Sequence, residues 1–212
     1  MVPSTLPGMG STASQRTDEP QDRRERRRTA TRERVLAAAL ELFANQGYAA
    51  TTYDHIADHA DVGRQTAFNH FRHKEDFVHA WIQRRHDQLD RQDELDAAIA
   101  GKTALQALTD GLRSLAELNE KDYLLAKELF DGGVLQSAFG LGSETPNSFV
   151  AAITRGQQRG EIRPDLDPAE LADTVYDCYL AALGRWLRHD RAFGLGELLL
   201  DRLSVLSDGF RA

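Results

Sequence analysis

Five side chains within seven residues, Arg64, Gln65, Thr66, Asn69 and His70, have the chemistry that reads base edges. Arginine donates a fork of hydrogen bonds to guanine. Glutamine and asparagine pair with adenine, and threonine meets a thymine methyl or a phosphate. The same composition also suits a solvated helix face, so the spacing around it has to discriminate. Ala67 and Phe71 fall on the opposite side of a helix over 64–71, which can bury one face and offer the other. Upstream, Thr52 stands as an N-cap before a short helix whose inner side carries Ile56, Ala57 and Ala60. Asp61-Val62-Gly63 then breaks the chain. Two short helices joined by a tight turn, the second bearing short polar side chains, form the helix-turn-helix pattern that places its second member in a major groove.

The elements that position these residues are helical throughout. Val35, Leu36, Ala39, Leu40, Leu42 and Phe43 predict a helix from Thr29 that ends at Gly47. Lys74-Glu75 opens a long helix with Phe77, Val78, Trp81, Ile82 and Leu89, followed by helices around Leu105–Leu115 and Tyr123–Phe130. The stretch 133–144 reads as an irregular connection. Thr145-Pro146 reads as the N-cap and first residue of a helix that stops at Gly160. Asp167-Pro168-Ala169-Glu170 combines an acidic cap with proline at the first helical position. That helix reaches about His189, and a last one carries Leu195 to Phe210. No segment alternates as a strand would. The expectation is an all-α chain of about nine helices. A disordered basic arm (1–28) precedes a helix-turn-helix domain (29–74) and a helical domain for effector binding and dimerisation (75–212).

Charge is divided unevenly. Residues 1–74 hold 11 Lys and Arg against 9 Asp and Glu, whereas the remainder holds 15 against 24. Seven arginines lie between Arg23 and Arg34. A basic end on an acidic body suits a molecule that touches a polyanion at one end only, although an Arg-rich run can also be a solvated tail. No apolar run approaches the ~18 residues of a membrane span, and the first residues do not resemble a secretory signal. Cys178 is the single cysteine, which leaves no internal disulfide and fits a reducing compartment, with the cytoplasm expected. It reads as a small buried thiol or as a redox switch.

Beyond these patterns, the sequence resembles the tetracycline-repressor (TetR) family of regulators. The resemblance rests on Arg34-Val35-Leu36-Ala37-Ala38-Ala39, Leu42-Phe43, Gly47-Tyr48, Thr51-Thr52, Ile56-Ala57, Ala60-Asp61-Val62, Thr66-Ala67-Phe68-Asn69-His70-Phe71 and Lys74-Glu75. It covers about 45 contiguous residues without a gap; the C-terminal two-thirds resembles the family only in helical order and in the Gly160–Glu170 linker. Gly63 replaces the usual serine, Asp61 the usual turn glycine, Phe68 the usual tyrosine, and Ala67 a larger apolar residue.

The resemblance implies a repressor that binds a palindromic DNA operator as a homodimer and is released by a small-molecule effector. Thr52, Tyr53 and Lys74 would position it on phosphates. Arg64, Gln65, Thr66, Asn69 and His70 would face the major groove, and Phe68 would pack on the sugar-phosphate backbone. From charge and position, Arg27 and Arg28 would follow the minor groove. The dimer would pair Val175, Cys178, Tyr179 and Ala182 with Leu199, Leu203, Leu206 and Phe210, residues that could equally be intrachain core. His86, Tyr123, Phe130, Phe149, Tyr176 and Trp186 could line an effector pocket, or simply pack; the polar stretch Arg85–Gln88 could face that pocket or water. No cofactor and no membrane partner are expected.

Enzymatic readings find little support: no phosphate loop, His-Glu-x-x-His, Cys-x-x-Cys or nucleophile elbow is present. His55 and His59, four apart beside Asp54 and Asp58, have metal-like spacing but are more simply solvent- or DNA-facing. A helical ligand-binding dimer with weak or lost DNA binding is the alternative, motivated by Gly63 and Phe68.

Overall fold

The computed structural model describes residues 19–99, 101–140 and 145–210, with side chains over 23–96, 101–139 and 145–209. These residues form ten helices and no strand. The helices are α1 (Glu19–Gln46), α2 (Tyr53–His59), α3 (Arg64–His70), α4 (Lys74–Ile99), α5 (Ala104–Lys121), α6 (Tyr123–Asp131), α7 (Val134–Gly140), α8 (Asn147–Gln158), α9 (Pro168–Arg188) and α10 (Leu195–Phe210).

Two expectations change. The arm expected to be disordered is helical from Glu19, because α1 extends ten residues upstream of Thr29. Arginine and glutamate are good helix formers, and an already nucleated helix grows at little cost. Residues 1–18 of that arm lie outside the described residues. The connection at 133–144 is helical over its first part, α7, where Leu135 and Ala138 are buried, three apart on one face.

Local signals hold elsewhere. Thr52 caps α2 through a capping box, its Oγ1 accepting from the His55 N–H at 3.2 Å. Asp61 occupies the left-handed turn at φ 50°, a conformation that aspartate tolerates better than most residues. Gly63 stands as N-cap of α3 without a side-chain bond. Asp167 accepts from the N–H groups of Ala169 and Glu170, with Pro168 at the first position of α9. The start of α8 shifts by one residue, with Pro146 rather than Thr145 as N-cap.

In the head, α1 packs on α2, α3 and α4 over Phe43, Phe71 and Phe77. The rings of Phe71 and Phe77 stack at 4.2 Å. In the body, α5 is the central helix, packed against α8, α10 and α4. Gly111 makes the α5–α8 approach possible: a Cβ there would lie 2.6 Å from the Phe149 ring. No helix among the described residues is long and apolar enough to cross a membrane.

Candidate nucleic-acid interface and effector core

Arg64, Gln65, Phe68 and Asn69 share the exposed side of α3, while Ala67 is fully buried behind them. Arg64 is held loosely by Asp54 at 3.4 Å, both side chains being well exposed. Gln65 Nε2 donates to Asn69 Oδ1 at 2.9 Å, so two candidate base readers satisfy each other one turn apart until a better partner arrives. Thr66 and His70 are half-buried at the edges of this face. Burial, then Arg28 and Arg32, holds the His70 imidazole below its ordinary pKa, which favours the neutral ring. Arg27 and Arg28 are exposed on α1.

The three residues expected on phosphates are placed differently from one another. Thr52 is exposed, although its hydroxyl oxygen also serves the cap. The Tyr53 hydroxyl donates to the Phe71 carbonyl at 2.8 Å, tying α2 to the end of α3, and its ring meets Phe68 edge-on. Burial, followed by Asp76 and Glu75, pushes that hydroxyl up to about 12, so it stays a proton donor. Lys74 Nζ donates to the Tyr48 carbonyl and lies 4.3 Å from the Tyr48 ring centroid. Without DNA, Tyr53 and Lys74 serve the head's own packing, because the Phe71 and Tyr48 carbonyls are their nearest acceptors.

Arg32 was missed. It donates to the His70 carbonyl at 3.1 Å and covers the Phe71 ring at 4.1 Å, thereby closing the C-terminal end of α3 from α1. Its place in the arginine run was the available signal. The metal-like histidines resolve as local bonds: His55 completes the capping box, and His59 meets Glu41 at 3.1 Å. Among the described residues no three His, Cys, Asp or Glu gather as a metal site would require.

In the body, three of the six candidate pocket residues converge. His86 Nε2 and the Tyr176 hydroxyl are 2.8 Å apart, and Phe149 meets Tyr176 edge-on at 6.5 Å. Burial lowers the His86 pKa despite Asp90 and Asp87 nearby. Trp186 and Tyr123 pair in a separate cluster, edge-on at 5.3 Å, and Phe130 lies beneath Arg188. A cavity of about 80 Å³ adjoins Phe149, lined also by Leu89, Gly111, Ser148 and Arg155. Among the described residues the buried Ser148 hydroxyl has no hydrogen-bond partner.

Arg85 and His86 are buried, while Asp87 and Gln88 face water. Arg85 donates to Asn119 at 2.9 Å, the Leu118 carbonyl at 2.9 Å and Asp122 at 3.0 Å, over the Trp81 ring at 3.8 Å. Asn119 donates in turn to the Tyr179 hydroxyl at 3.0 Å. This chain of bonds ties α4 to α5 and α9. Periodicity could not reveal it, because a buried arginine and an exposed one look alike in sequence.

Most of the expected dimer stripe faces inward. Val175, Tyr179, Ala182, Leu199 and Leu203 are at most 3% exposed within the single chain, so they are core. The reason is geometric: α10 packs on both α5 and α9, and the apolar stripes of α9 and α10 are spent on those contacts. Cys178 and Leu206 are half-buried, and the Phe210 side chain lies outside the described ones.

Head and body meet through α1 and α6. Glu128 Oε1 accepts from the Tyr48 N–H at 2.8 Å, at the turn where Gly47 adopts φ 93°.

A capped α2, a left-handed turn and an α3 with an exposed polar face make this a helix-turn-helix protein with a separate helical body. Residues 35–81 match the family described as bacterial regulatory proteins, tetR family. The chain is 29% identical over 135 residues to the HTH-type transcriptional regulator TcmR of Streptomyces glaucescens, covering 64% of this chain and 58% of TcmR. It is 27% identical over 140 residues to the HTH-type transcriptional regulator SrpR of Pseudomonas putida, covering 65% and 66%. These matches span less than two thirds of either relative's own length. Among solved structures, FadR of Thermus thermophilus, a TetR-family transcriptional repressor in complex with lauroyl-CoA, is 27% identical. It superposes with a TM-score of 0.70, over 84% of this chain and 94% of that one. Residues 35–81 thus carry the helix-turn-helix domain of the TetR family, and the relatives that the chain matches are transcriptional regulators.

Proposed function

We propose that the protein is a repressor that binds a palindromic operator as a homodimer and leaves it when a small molecule enters the body. The observation that carries the DNA reading is the mutually bonded Gln65–Asn69 pair on the exposed side of α3, behind which Ala67 and Phe71 are buried. Both amides can exchange their internal bond for a pair of bonds to adenine. Arg64 can leave its loose pair with Asp54 for guanine. The head comprises 29–74, with Arg27 and Arg28 alongside on α1, and the body begins at 75.

One helix-turn-helix reads few base pairs, so two heads set ~34–36 Å apart are needed. The outer sides of α9 and α10 are the pairing surfaces in this reading. Val205, 76% exposed, is an apolar residue of α10, and Leu206 beside it and Cys178 on α9 are half-buried.

The effector site is the core around Phe149, Tyr176 and His86. A space of about 80 Å³ is far below the ~300–1,000 Å³ of drug-sized sites, so the effector displaces the Phe149 ring and meets the Ser148 hydroxyl. A ligand that prefers the displaced form shifts the chain towards it. Because α4 runs from the head to His86, and Glu128 ties α6 to the turn after α1, the shift alters the spacing of the heads.

A gel shift with DNA flanking the protein's own gene tests the proposal. Specific retardation by the wild-type chain, lost with Asn69→Ala, is the expected result. Absence of any retarded palindrome at low salt would leave a ligand-binding dimer without an operator, the reading that Gly63 and Phe68 favour.

A further inference from the structure

A second, larger opening lies away from the Phe149 core. It is a groove of about 710 Å³ between α1, α4, α5 and α6, within the size range of small-ligand sites. Leu40 of α1 and Trp81 of α4 lie on its apolar side, and Leu124 of α6 stands at its edge with 67% of its surface exposed. The Arg191 guanidinium, also lining the groove, lies 3.9 Å from the Tyr123 ring centroid, after two consecutive left-handed residues, Asp190 (φ 48°) and Arg191 (φ 62°). Such backbone is costly for residues other than glycine and persists where the surroundings demand it.

The charges in the groove are unequal in availability. Glu41 is engaged by His59, and Asp122 by Arg85 and Trp81. Arg84 reaches Glu33 on α1 at 3.6 Å. Among the described residues Lys121 and Arg191 have no carboxylate partner and Glu120 has no cationic one, so these unengaged groups leave one positive charge over. Asp190, the nearest carboxylate to Arg191 in sequence, is taken by Lys127 at 3.2 Å and by the Tyr123 hydroxyl. Arg85 adds a buried Nε that has no acceptor among the described residues.

We propose that this groove is a second small-molecule site, selective for a flat aromatic monoanion. The ring packs against Leu124, Leu40 and the Tyr123–Arg191 pair, and the anionic group lies between Arg191 and Lys121. The claim does not rest on operator binding. It does bear on regulation, because the groove has one wall in the head and the others in the body. The Glu128–Tyr48 bond lies further along the same α1–α6 contact, so an occupant acts on the joint itself.

Calorimetric titration of the full chain with 1-naphthoate, and with the neutral 1-naphthamide as its match, tests the proposal. The expected result is one naphthoate per chain with naphthamide roughly tenfold weaker or worse. Leu124→Glu, which puts an acid where the ring should pack, and Arg191→Gly, which removes the guanidinium but suits the backbone, each weaken naphthoate roughly tenfold. Leu95→Glu, an equally exposed apolar-to-acid change outside the groove, leaves the affinity unchanged. No heat at millimolar naphthoate overturns the proposal. So does binding that ignores Leu124→Glu and Arg191→Gly, which would put the probe elsewhere, or naphthamide binding as tightly as the acid.

Discussion

The head and the body use polar side chains in opposite ways. On α3 the polar residues lie outside, and their bonds are short-range and exchangeable: Gln65 with Asn69, Arg64 with Asp54. In the body, Arg85, His86 and Asn119 are buried and bonded across three helices. An exposed amide pair gives up little when it finds a new partner, whereas a buried guanidinium cannot let go without stranding a charge. The contrast separates residues free to exchange partners from residues that hold the helices in register. Lys74 and Glu128 sit between the two regimes.

If that division is right, the largest effect of a single change falls in the body and on folding alone. Arg85→Met should lower unfolding free energy by about 3 kcal/mol in urea titrations, because Asp122 and Asn119 lose their shared donor. Equal stability of this variant and wild type would show that the network is ornamental.

Asn69→Ala is the mirror case. We expect specific DNA binding weaker by ~1–3 kcal/mol, with base preference relaxed at one position of each half-site. Stability should stay within ~0.5 kcal/mol of wild type. A large loss of stability with unchanged DNA affinity would erase the contrast.

Lys74→Ala should show both kinds of loss at once. Removing the donor to the Tyr48 carbonyl costs about 1 kcal/mol of stability. If the ammonium also meets a phosphate, the slope of log affinity against log salt falls by about one. A stability change without a change of slope would assign Lys74 wholly to the head's interior.

The smallest expected effect is on pH dependence. His86 is held neutral by burial, so its folded-state pKa lies below that of the unfolded chain. Between the two values the unfolded chain binds more protons, and stability falls as pH drops from about 6.5. His86→Gln, measured by thermal melting across that range, should flatten this part of the profile; His70, also shifted downward but in the head, should leave a remainder.

How much of this was legible in the sequence depended on range. The Thr52 cap of α2 and the Asp167-Pro168 start of α9 rest on bonds within three residues, and the Asp61 turn and the Gly63 start of α3 on the conformational range of a single residue, so each is legible in the sequence. The alternation of exposed Gln65 and Asn69 with buried Ala67 and Phe71 follows directly from 3.6 residues per turn. Arg32 closing α3, by contrast, depends on a contact 38 residues away. Only packing could tell that Val175, Tyr179, Ala182, Leu199 and Leu203 belong to the chain's own core. An apolar stripe specifies that it will be covered, not by which surface. The same holds for Arg85 and His86, whose burial is decided by whether acceptors from α5 and α9 arrive opposite them, and for the joint at Glu128, where a carboxylate from α6 meets an N–H 80 residues earlier. Local geometry wrote the helices and the exposed polar face of α3 into the sequence; the three-dimensional arrangement alone chose which polar groups would meet across them.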